Sequence, residues 1–364
     1  MNVKSICDLI EEVAPLAWQE SYDNAGLLIG DSQMEVTSVL ICIDVTEDVL
    51  DEAIRKNCNL ILSHHPLIFS GLKKLTGQNE VQRCVAKAIK NGIAVYAAHT
   101  NLDNVLTGVS GRMAKMLGLK NLRILQPKQN SLLKLVTFVP KSHSFAVREV
   151  LFAAGAGNIG NYDSCSFNSD GTGTFKANAK AQPFVGEIGE FHSEPEIRIE
   201  VILPDYLKYK VLEALTESHP YEEPAYDFIR LENSMLQVGA GVVGELETPE
   251  DELVFLQKLK QIFQAHSIRH TQILGKKIKT VALCGGSGSS LLYDAIAARA
   301  DVYVSADFKY HDFFDVQNRI LVADIGHFES EQFTKDIFYE IITKKMPTFA
   351  VQISDSKTNP INYL

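Results

Sequence analysis

The chain lacks any paired cysteine motif: its six cysteines lie far apart and form no C-x-x-C spacing. The spacing excludes a zinc knuckle and indicates no disulfide framework, so we expect a reducing compartment.

Long apolar runs are also missing. No run approaches the ~18 apolar residues that a membrane span requires, and Asp8, Glu11 and Glu12 precede any apolar run at the N-terminus,. The sequence therefore predicts a soluble, cytoplasmic protein with no membrane partner.

Positive charge is also scarce. The 35 Lys and Arg residues face 45 Asp and Glu residues, which gives a formal net charge of −10. This net negative charge repels phosphate backbones and disfavours generic nucleic-acid binding, although it does not exclude a local basic patch.

The composition is that of a folded protein. Apolar residues at 46% and charged residues at 22% exclude the disordered and fibrous classes. A chain of 364 residues exceeds the size of one hydrophobic core, so we expect two or three packed units.

Short apolar runs alternate with longer amphipathic stretches near both ends of the chain. The first lobe contains VTSVLICID, NLILS and IAVYAA, and the last contains KTVALC, DVYVSAD, RILVADIG and TFAVQIS. This alternation is typical of βαβ units around a mainly parallel sheet. We predict the α/β class, with one α/β lobe at residues 1–126 and a second at residues 236–364.

Residues 127–235 form a third predicted domain, which contains an internal repeat. A shift of 64 positions aligns Val139-Pro140 with Leu203-Pro204 and Tyr162-Asp163 with Tyr226-Asp227. Each copy has the pattern of a strand, a turn with proline, an amphipathic helix and a strand. Two such copies predict a ferredoxin-like α+β domain inserted between the lobes. Coincidence between short apolar patterns is the alternative.

The most informative local signal is His64-His65, directly after the predicted strand NLIL. Neighbouring side chains in an extended segment point to opposite sides, and Pro66 favours an extended His65. The pair therefore suits two metal ions, or one ligand plus a supporting group, better than two ligands on one ion. A histidine pair alone is weak evidence, because histidines at strand ends are more often surface or capping residues.

Polar residues follow several other predicted strands: Asp44, His99, Asp103, Asp307, Asp324, His327 and Glu331. Ligands of open α/β sheets bind at the carboxyl ends of strands, so these residues from both lobes can converge. His327 and Glu331 share one helical face and form a half-site for a divalent cation, while Asp103 could bridge two ions. Taken alone, the His327–Glu331 spacing also suits a charge pair at a helix start.

A glycine-rich segment, residues 284–290, links a predicted strand to a predicted helix. Its backbone N–H groups could bind phosphate. A tight βα turn is an equally good interpretation, since the P-loop and dinucleotide motifs are both incomplete. We predict substrate contacts at Gly286 and Gly288, together with His99 and Asp307.

Catalysis would depend on the metal. There is no G-x-S-x-G motif and no cysteine beside a candidate base, which disfavours covalent catalysis. Histidine and carboxylate ligands suit zinc, manganese or ferrous iron, and two close ions can activate water. His311 follows a strand end and is a candidate proton carrier or a plain polar residue at a helix start. Glu329, which lies off the face of His327, is a second candidate proton carrier.

Four segments, SHHPLIFSGLKKL, AAHTNLDN, DIGHFESE and WQESYDNAGLLIG, resemble the GTP cyclohydrolase I type 2 homologue family, also called NIF-three-like proteins. The resemblance runs nearly end to end. It implies a homohexameric ring and two lobes around a dinuclear cleft with two divalent ions per subunit. The metal ligands it implies are His64, His65, Asp103, His327 and Glu331. It also implies a PII-like or CutA-like insert in the middle region.

The resemblance extends to Trp18, Asp23 and Asn24, which match the family's N-terminal motif. Ser305-Ala306-Asp307 stands where members often show a TGD-like strand end. We expect a metal-dependent hydrolase that acts on a nucleotide or related phosphorylated small molecule. The alternative is a non-catalytic regulatory or scaffold hexamer that senses a ligand through the insert. A ring threaded by single-stranded DNA conflicts with the net charge.

Overall fold

A computed structural model describes residues 1–364. The chain divides into two compact units, one formed by Met1–Gln126 with Gln237–Leu364 and one formed by Pro127–Leu236. All six cysteines are free thiols. None of the helices combines the length and hydropathy that crossing a bilayer would require.

The strands are β1 (Gly26–Ile29), β2 (Val39–Cys42), β3 (Leu60–Ser63), β4 (Ala94–Ala97), β5 (Lys120–Lys128), β6 (Leu132–Pro140), β7 (Phe167–Lys176), β8 (Phe191–Pro204), β9 (Tyr226–Leu231), β10 (Met235–Asp251), β11 (Arg269–His270), β12 (Lys277–Ser287), β13 (Val302–Ala306), β14 (Leu321–Asp324) and β15 (Val351–Ile353). The helices are α1 (Val3–Val13), α2 (Glu47–Arg55), α3 (Glu80–Lys90), α4 (Thr100–Asp103), α5 (Val109–Met116), α6 (Ser144–Ala153), α7 (Lys208–Ser218), α8 (Glu252–Ile262), α9 (Leu292–Ala297), α10 (Asp312–Asp315), α11 (His327–Glu331) and α12 (Thr334–Lys345).

The first sheet of the discontinuous unit has the strand order β1-β4-β3-β2-β15. Its strands are parallel except β1, which pairs antiparallel with β4. Every residue of β2, β3 and β4 is buried, as expected for parallel strands covered on both faces. The sequence pattern placed β15 with the C-terminal lobe, but it pairs with β2, because Val351 lies opposite Val39 in register.

Helices cover both faces of this sheet. On one face, α1 and α12 pack against the strands through Ile6, Ile10 and Phe338. On the other, α2 and α3 contribute Leu50 and Val85. The apolar residues of α1 recur every three or four positions, which is the spacing that gives a helix one buried face,. The carboxyl ends of β2, β3 and β4 are left free to carry polar side chains.

The second sheet has the order β11-β14-β13-β12-β10-β5. Strands β12, β13 and β14 are parallel, whereas β10 pairs antiparallel with β12 and β11 pairs antiparallel with β14. The sheet is therefore mixed rather than mainly parallel. Phe255 and Phe263 from α8 and the residue after it fill the core on one face. Leu292 and Ala295 of α9 pack on the other face.

The unit Pro127–Leu236 contains an antiparallel sheet with the order β7-β8-β6-β9. Helix α6 follows β6, α7 follows β8, and both pack on one face of the sheet through Val147 and Val211. Pro140 and Pro204 end β6 and β8, as the 64-residue shift requires. Tyr162 and Tyr226 are not equivalent, because Tyr162 lies in a loop and Tyr226 opens β9.

Candidate metal centre

The two sheets of the discontinuous unit bring the predicted metal ligands together. His64 and His65 directly follow β3, and Asp103 ends the short helix α4, which is separated from β4 by two residues. His327 and Glu331 begin and end α11, which is separated from β14 by two residues. Five residues separated by more than 260 positions thus meet because each lies at or near a strand's carboxyl end.

Glu331 is the centre of this group. Its Oε2 lies 2.9 Å from Nε2 of His65 and 3.0 Å from Nε2 of His327. Its Oε1 lies 3.6 Å from Nε2 of His64, which in turn lies 3.7 Å from Oδ1 of Asp103. Candidate ligand atoms of His64, His65 and Glu331 all lie within 4.8 Å of one another. This three-residue group could hold a metal ion, with His327 and Asp103 beside it.

The two neighbouring histidines do not face opposite sides as predicted. The ring centroids of His64 and His65 lie 5.0 Å apart, and both rings reach the same carboxylate of Glu331. The alternation of side chains holds only within a strand, and β3 ends at Ser63, before the pair,. The two rings nevertheless reach different oxygens of the carboxylate.

Hydrogen bonds fix the orientation of these imidazoles. Nδ1 of His64 lies 2.9 Å from the backbone oxygen of Ala98, which can only accept, so Nδ1 carries the proton,. Nδ1 of His65 lies 2.6 Å from a carboxylate oxygen of Asp44. In both rings Nε2 faces the cluster, and with a metal bound it would present its lone pair there, which is the arrangement found around metal-ligating histidines.

Asp307 holds His327 in the same way, with its Oδ2 at 2.7 Å from Nδ1. The backbone of Asp307 has φ 57°, in the left-handed region, where only Gly, Asn and Asp are common. The position directly after β13 thus turns the chain so that a carboxylate supports His327. The contact of Asp307 with substrate stays a prediction.

His99 lies beside the cluster, with its ring centroid 5.4 Å from that of His64 and 5.5 Å from that of His65. Its Nδ1 lies 2.7 Å from Oδ1 of Asp23, whose other oxygen accepts the N–H of Thr100 at 3.0 Å. The sequence assigns Asp23 no role beyond a motif match, because no local pattern connects residues 76 positions apart. Asp23 positions both His99 and the start of α4.

Two buried polar atoms identify where a cation fits. His64 Nε2 and Asp103 Oδ1 are both buried, and neither has a hydrogen-bond partner. Buried polar atoms are nearly always paired, because leaving one unpaired costs free energy. A cation between these atoms would satisfy both. The nitrogen and oxygen donors of the cluster therefore fit a divalent cation of the kind that accepts imidazole and carboxylate ligands.

The electrostatics of the cluster favour positive charge. Burial lowers the pKa of His65, but hydrogen bonds to Asp44 and Glu331 outweigh burial and raise that pKa to about 10. Burial also lowers the pKa of His327, and contacts with Glu331 and then Asp307 raise it to about 9. Burial would raise the pKa of Glu331, yet the imidazole of His64 and the hydrogen bonds from His327 hold it well below its usual range. The carboxylates thus create a strongly negative potential.

The glycine-rich segment is not a simple turn before a helix. Strand β12 runs through Ser287, and a 3₁₀ turn precedes α9. Gly286 has φ 60°, and a Cβ there would lie 2.2 Å from Oε1 of Glu331. Its N–H donates to Ser330 Oγ at 2.9 Å, and a Cβ at Gly288 would lie 2.3 Å from Ser305 Oγ. These glycines make room for neighbouring side chains, and their contact with substrate stays a prediction.

The two candidate proton carriers lie outside the cluster's contacts. The ring of His311 contacts Tyr310 and Phe314, at centroid distances of 5.3 and 6.2 Å. Glu329 is buried and accepts a hydrogen bond from Asn359 at 3.4 Å. Glu329 lies two positions after His327 on α11, which directs its side chain roughly 200° around the helix axis from that of His327. Their catalytic role stays a prediction without a supporting contact.

Asp324 is a strand-end residue that the structure assigns to another role. Its Oδ2 accepts from the guanidinium of Arg269 and from the backbone N–H of Phe308. Arg269 lies on β11, which pairs with β14. Asp324 therefore ties β11 and the chain after β13 to β14, and the metal candidates are the residues that follow it.

The fold and the site together define an α/β protein with a candidate metal centre between two sheets. The family model of Duf34/NIF3 (NGG1p interacting factor 3) matches residues 1–360, and the chain belongs to this family. A protein of Halalkalibacterium halodurans named GTP cyclohydrolase 1 type 2 homolog is 38% identical over 368 residues, covering 100% of this chain and 99% of its own. A Bacillus subtilis protein of the same name is 37% identical over 374 residues, with the same coverage.

Among solved structures, the Bacillus cereus protein related to NIF3 superposes with a TM-score of 0.85 at 37% sequence identity. The match covers 100% of this chain and 99% of that one. These comparisons agree with the resemblance carried by the four sequence motifs.

Proposed function

We propose that the protein is a metal-dependent hydrolase that holds two divalent cations and acts on a nucleotide or related phosphorylated small molecule. The position of Glu331 carries this proposal. Its Oε1 faces His64, which adjoins Asp103, and its Oε2 faces His65 and His327. Together with Glu331, these side chains would supply enough imidazole and carboxylate donors to hold two ions.

The protein's own residues would hold and orient this centre. Such ions supply Lewis acidity and lower the pKa of a bound water. Asp44 and Asp307 keep Nε2 of His65 and His327 directed at the cluster. The side chain of Asp103 is 26% exposed although its Oδ1 is buried, so this side of the cluster is open to a substrate.

Two observations support a nucleotide-like substrate. Phe69 is half exposed, and its ring centroid lies 6.3 Å from that of His99, so an aromatic face adjoins the cluster and could stack on a base. The relatives are named homologs of GTP cyclohydrolase 1 type 2. The proposed reaction class is therefore attack by water on phosphorus or on an electron-poor carbon.

Metal content and turnover test the proposal together. Purified protein, reconstituted with zinc, manganese or iron, is screened against nucleotides, and product formation is expected to rise in proportion to bound metal. Asp103→Ala should lose metal and turnover, while Asp48→Ala, an exposed change on α2, should lose neither. Full metal occupancy with retained activity in Asp103→Ala would contradict the assignment. Anomalous diffraction at metal edges on unsoaked crystals identifies the metal and counts the ions.

A second candidate function is a non-catalytic regulatory or scaffold role. The order β7-β8-β6-β9, with a helix after β6 and after β8, supports a ferredoxin-like, PII-like or CutA-like insert at residues 127–235 between two α/β lobes. This unit has its own cavity, which favours ligand sensing. Tight ligand binding without product would support this role.

We also propose a cytoplasmic homohexamer, and sedimentation analysis should give about six times the 40.4 kDa of one chain.

A further inference from the structure

The unit Pro127–Leu236 contains a cavity of about 560 Å³ that none of the candidate metal ligands lines. Alternating residues of β8 explain its position. Ile199 and Val201 point into the core beneath α6 and α7, so Glu196 and Arg198 point to the opposite face of the sheet. The cavity lies against that face, and its chemistry is therefore set by side chains that do not serve the core.

A largely buried carboxylate lines this cavity. Glu196 is only 7% exposed. The Tyr221 hydroxyl donates a hydrogen bond to its Oε1 at 2.8 Å. A Cβ at Gly173 would lie 2.2 Å from Oε2, so glycine on β7 leaves this oxygen its space. A carboxylate that is largely removed from water is stabilised by a cation beside it.

The remaining charges leave the cavity negative. Arg198 is paired with Glu200 at 2.9 Å, and Asp170 is paired with Lys141. Glu196 has no cationic partner. Neither have Glu222 and Glu223, which also line the cavity. An anionic ligand such as a phosphate is disfavoured here, and a cation is favoured.

Aromatic rings surround the same space. The ring centroid of Tyr221 lies 6.2 Å from that of Phe175 and 6.3 Å from that of Phe184, and Phe138 completes the lining. Aromatic faces attract organic cations through their quadrupoles, most strongly where water is excluded. Burial and the neighbouring Glu196 raise the pKa of Tyr221 far above its usual range, so its hydroxyl remains a donor to the carboxylate.

We propose that this cavity binds a small organic cation, an amine or quaternary ammonium, whose charged group contacts Glu196 between the rings of Tyr221 and Phe184. The ligand is a free small molecule. The proposal does not depend on the metal centre, since none of the metal candidates lines the cavity. Failure of either proposal leaves the other intact.

Isothermal titration calorimetry of the full chain tests this proposal with choline and ethanolamine as probes. The neutral isostere of choline, 3,3-dimethyl-1-butanol, has the same shape without the charge, and guanosine is a neutral aromatic N–H donor. We expect saturable binding of at least one cation, and a dissociation constant at least about tenfold higher for the isostere. No saturable heat from either cation up to about 10 mM, equal affinity for the isostere, or binding of guanosine alone would overturn the proposal.

Variants locate the site. Glu196→Gln keeps the size and one acceptor oxygen of the side chain, and it should raise the dissociation constant of the cation about tenfold or more. Glu217→Gln, the same change at an exposed position of α7, should leave it unchanged. If Glu196→Gln fails to fold, Phe184→Ala, which removes a half-exposed ring, tests whether the cation binds in this cavity. Unchanged affinity in the folded variants would place the cation elsewhere and refute the site.

Discussion

Substitution of Glu52 by glutamine should loosen the segment that follows β15. Glu52 lies on α2 and is 3% exposed. Its carboxylate accepts hydrogen bonds from Lys56 Nζ at 2.6 Å, the Ser354 hydroxyl at 2.6 Å, the Asp355 N–H at 2.9 Å and the Ser356 hydroxyl at 2.7 Å. One side chain therefore joins a helix near the N-terminus to the chain near residue 355. Glutamine keeps the shape but not the charge that strengthens these bonds.

The magnitude follows from the pKa of Glu52. Burial raises this pKa, but the hydrogen bonds from Lys56 and Ser354 outweigh burial and lower it from 4.5 to about 2. The lowering of this pKa from 4.5 to about 2 corresponds to roughly 3 kcal/mol, and solvent screening of the partly exposed Lys56 ammonium reduces this to about 2 kcal/mol. Because the folded-state pKa is the lower one, the stabilisation is complete well above pH 4.5 and is lost as the pH falls from 4.5 towards 2.

Urea unfolding at several pH values measures this contribution. The free energy of unfolding of Glu52→Gln should lie about 2 kcal/mol below that of the unchanged protein at pH 7, and the gap should narrow below pH 4. Glu47→Gln on the same helix removes an exposed pair with Arg83 and should cost less than about 1 kcal/mol. Hydrogen exchange at Asp355 and Ser356 reports the same loss locally. A gap that does not change with pH would refute the reasoning.

Two further predictions concern the metal centre. Asp44→Asn should weaken metal binding by about tenfold or more, because the carboxylate that orients His65 is lost; competition with a chelator measures this, and unchanged affinity would contradict the role of Asp44. Gly286→Ala should lower metal occupancy and thermal stability, because the added Cβ would lie 2.2 Å from Glu331 Oε1. Gly275→Ala, which has a similar φ of 72° but no neighbour within 4 Å, reports the backbone strain alone, and equal effects in both variants would exclude crowding as the cause.

The parallel strands of both sheets could be predicted from the sequence because burial on both faces leaves a continuous apolar run. NLILS and IAVYAA correspond to β3 and β4, whose residues are all buried. The partner of β15 could not be predicted this way, because Val351 and Val39 meet through a register that no local pattern records. The antiparallel pairing of the long strand β10 with β12 could not be predicted for the same reason.

The convergence of the candidate ligands could also be predicted, since strand ends are defined by the same apolar runs. The supporting contacts could not. The sequence marks Asp44 only as a strand-end residue, whereas in the structure a carboxylate oxygen of Asp44 lies 2.6 Å from Nδ1 of His65. Asp23 supports His99 across 76 positions, and spacing carries no information about such a pair. Orientation of ligands therefore depends on tertiary contacts that the sequence pattern does not contain.

The discontinuity of the larger unit has a consequence for biosynthesis. Its first sheet needs β15, which the ribosome adds more than 300 residues after β2, whereas Pro127–Leu236 is contiguous. Domains generally fold as units while the chain is being made. The middle unit can thus reach its native state on the nascent chain while the first lobe still awaits its edge strand and α12. Molecular chaperones would have most to protect during that interval.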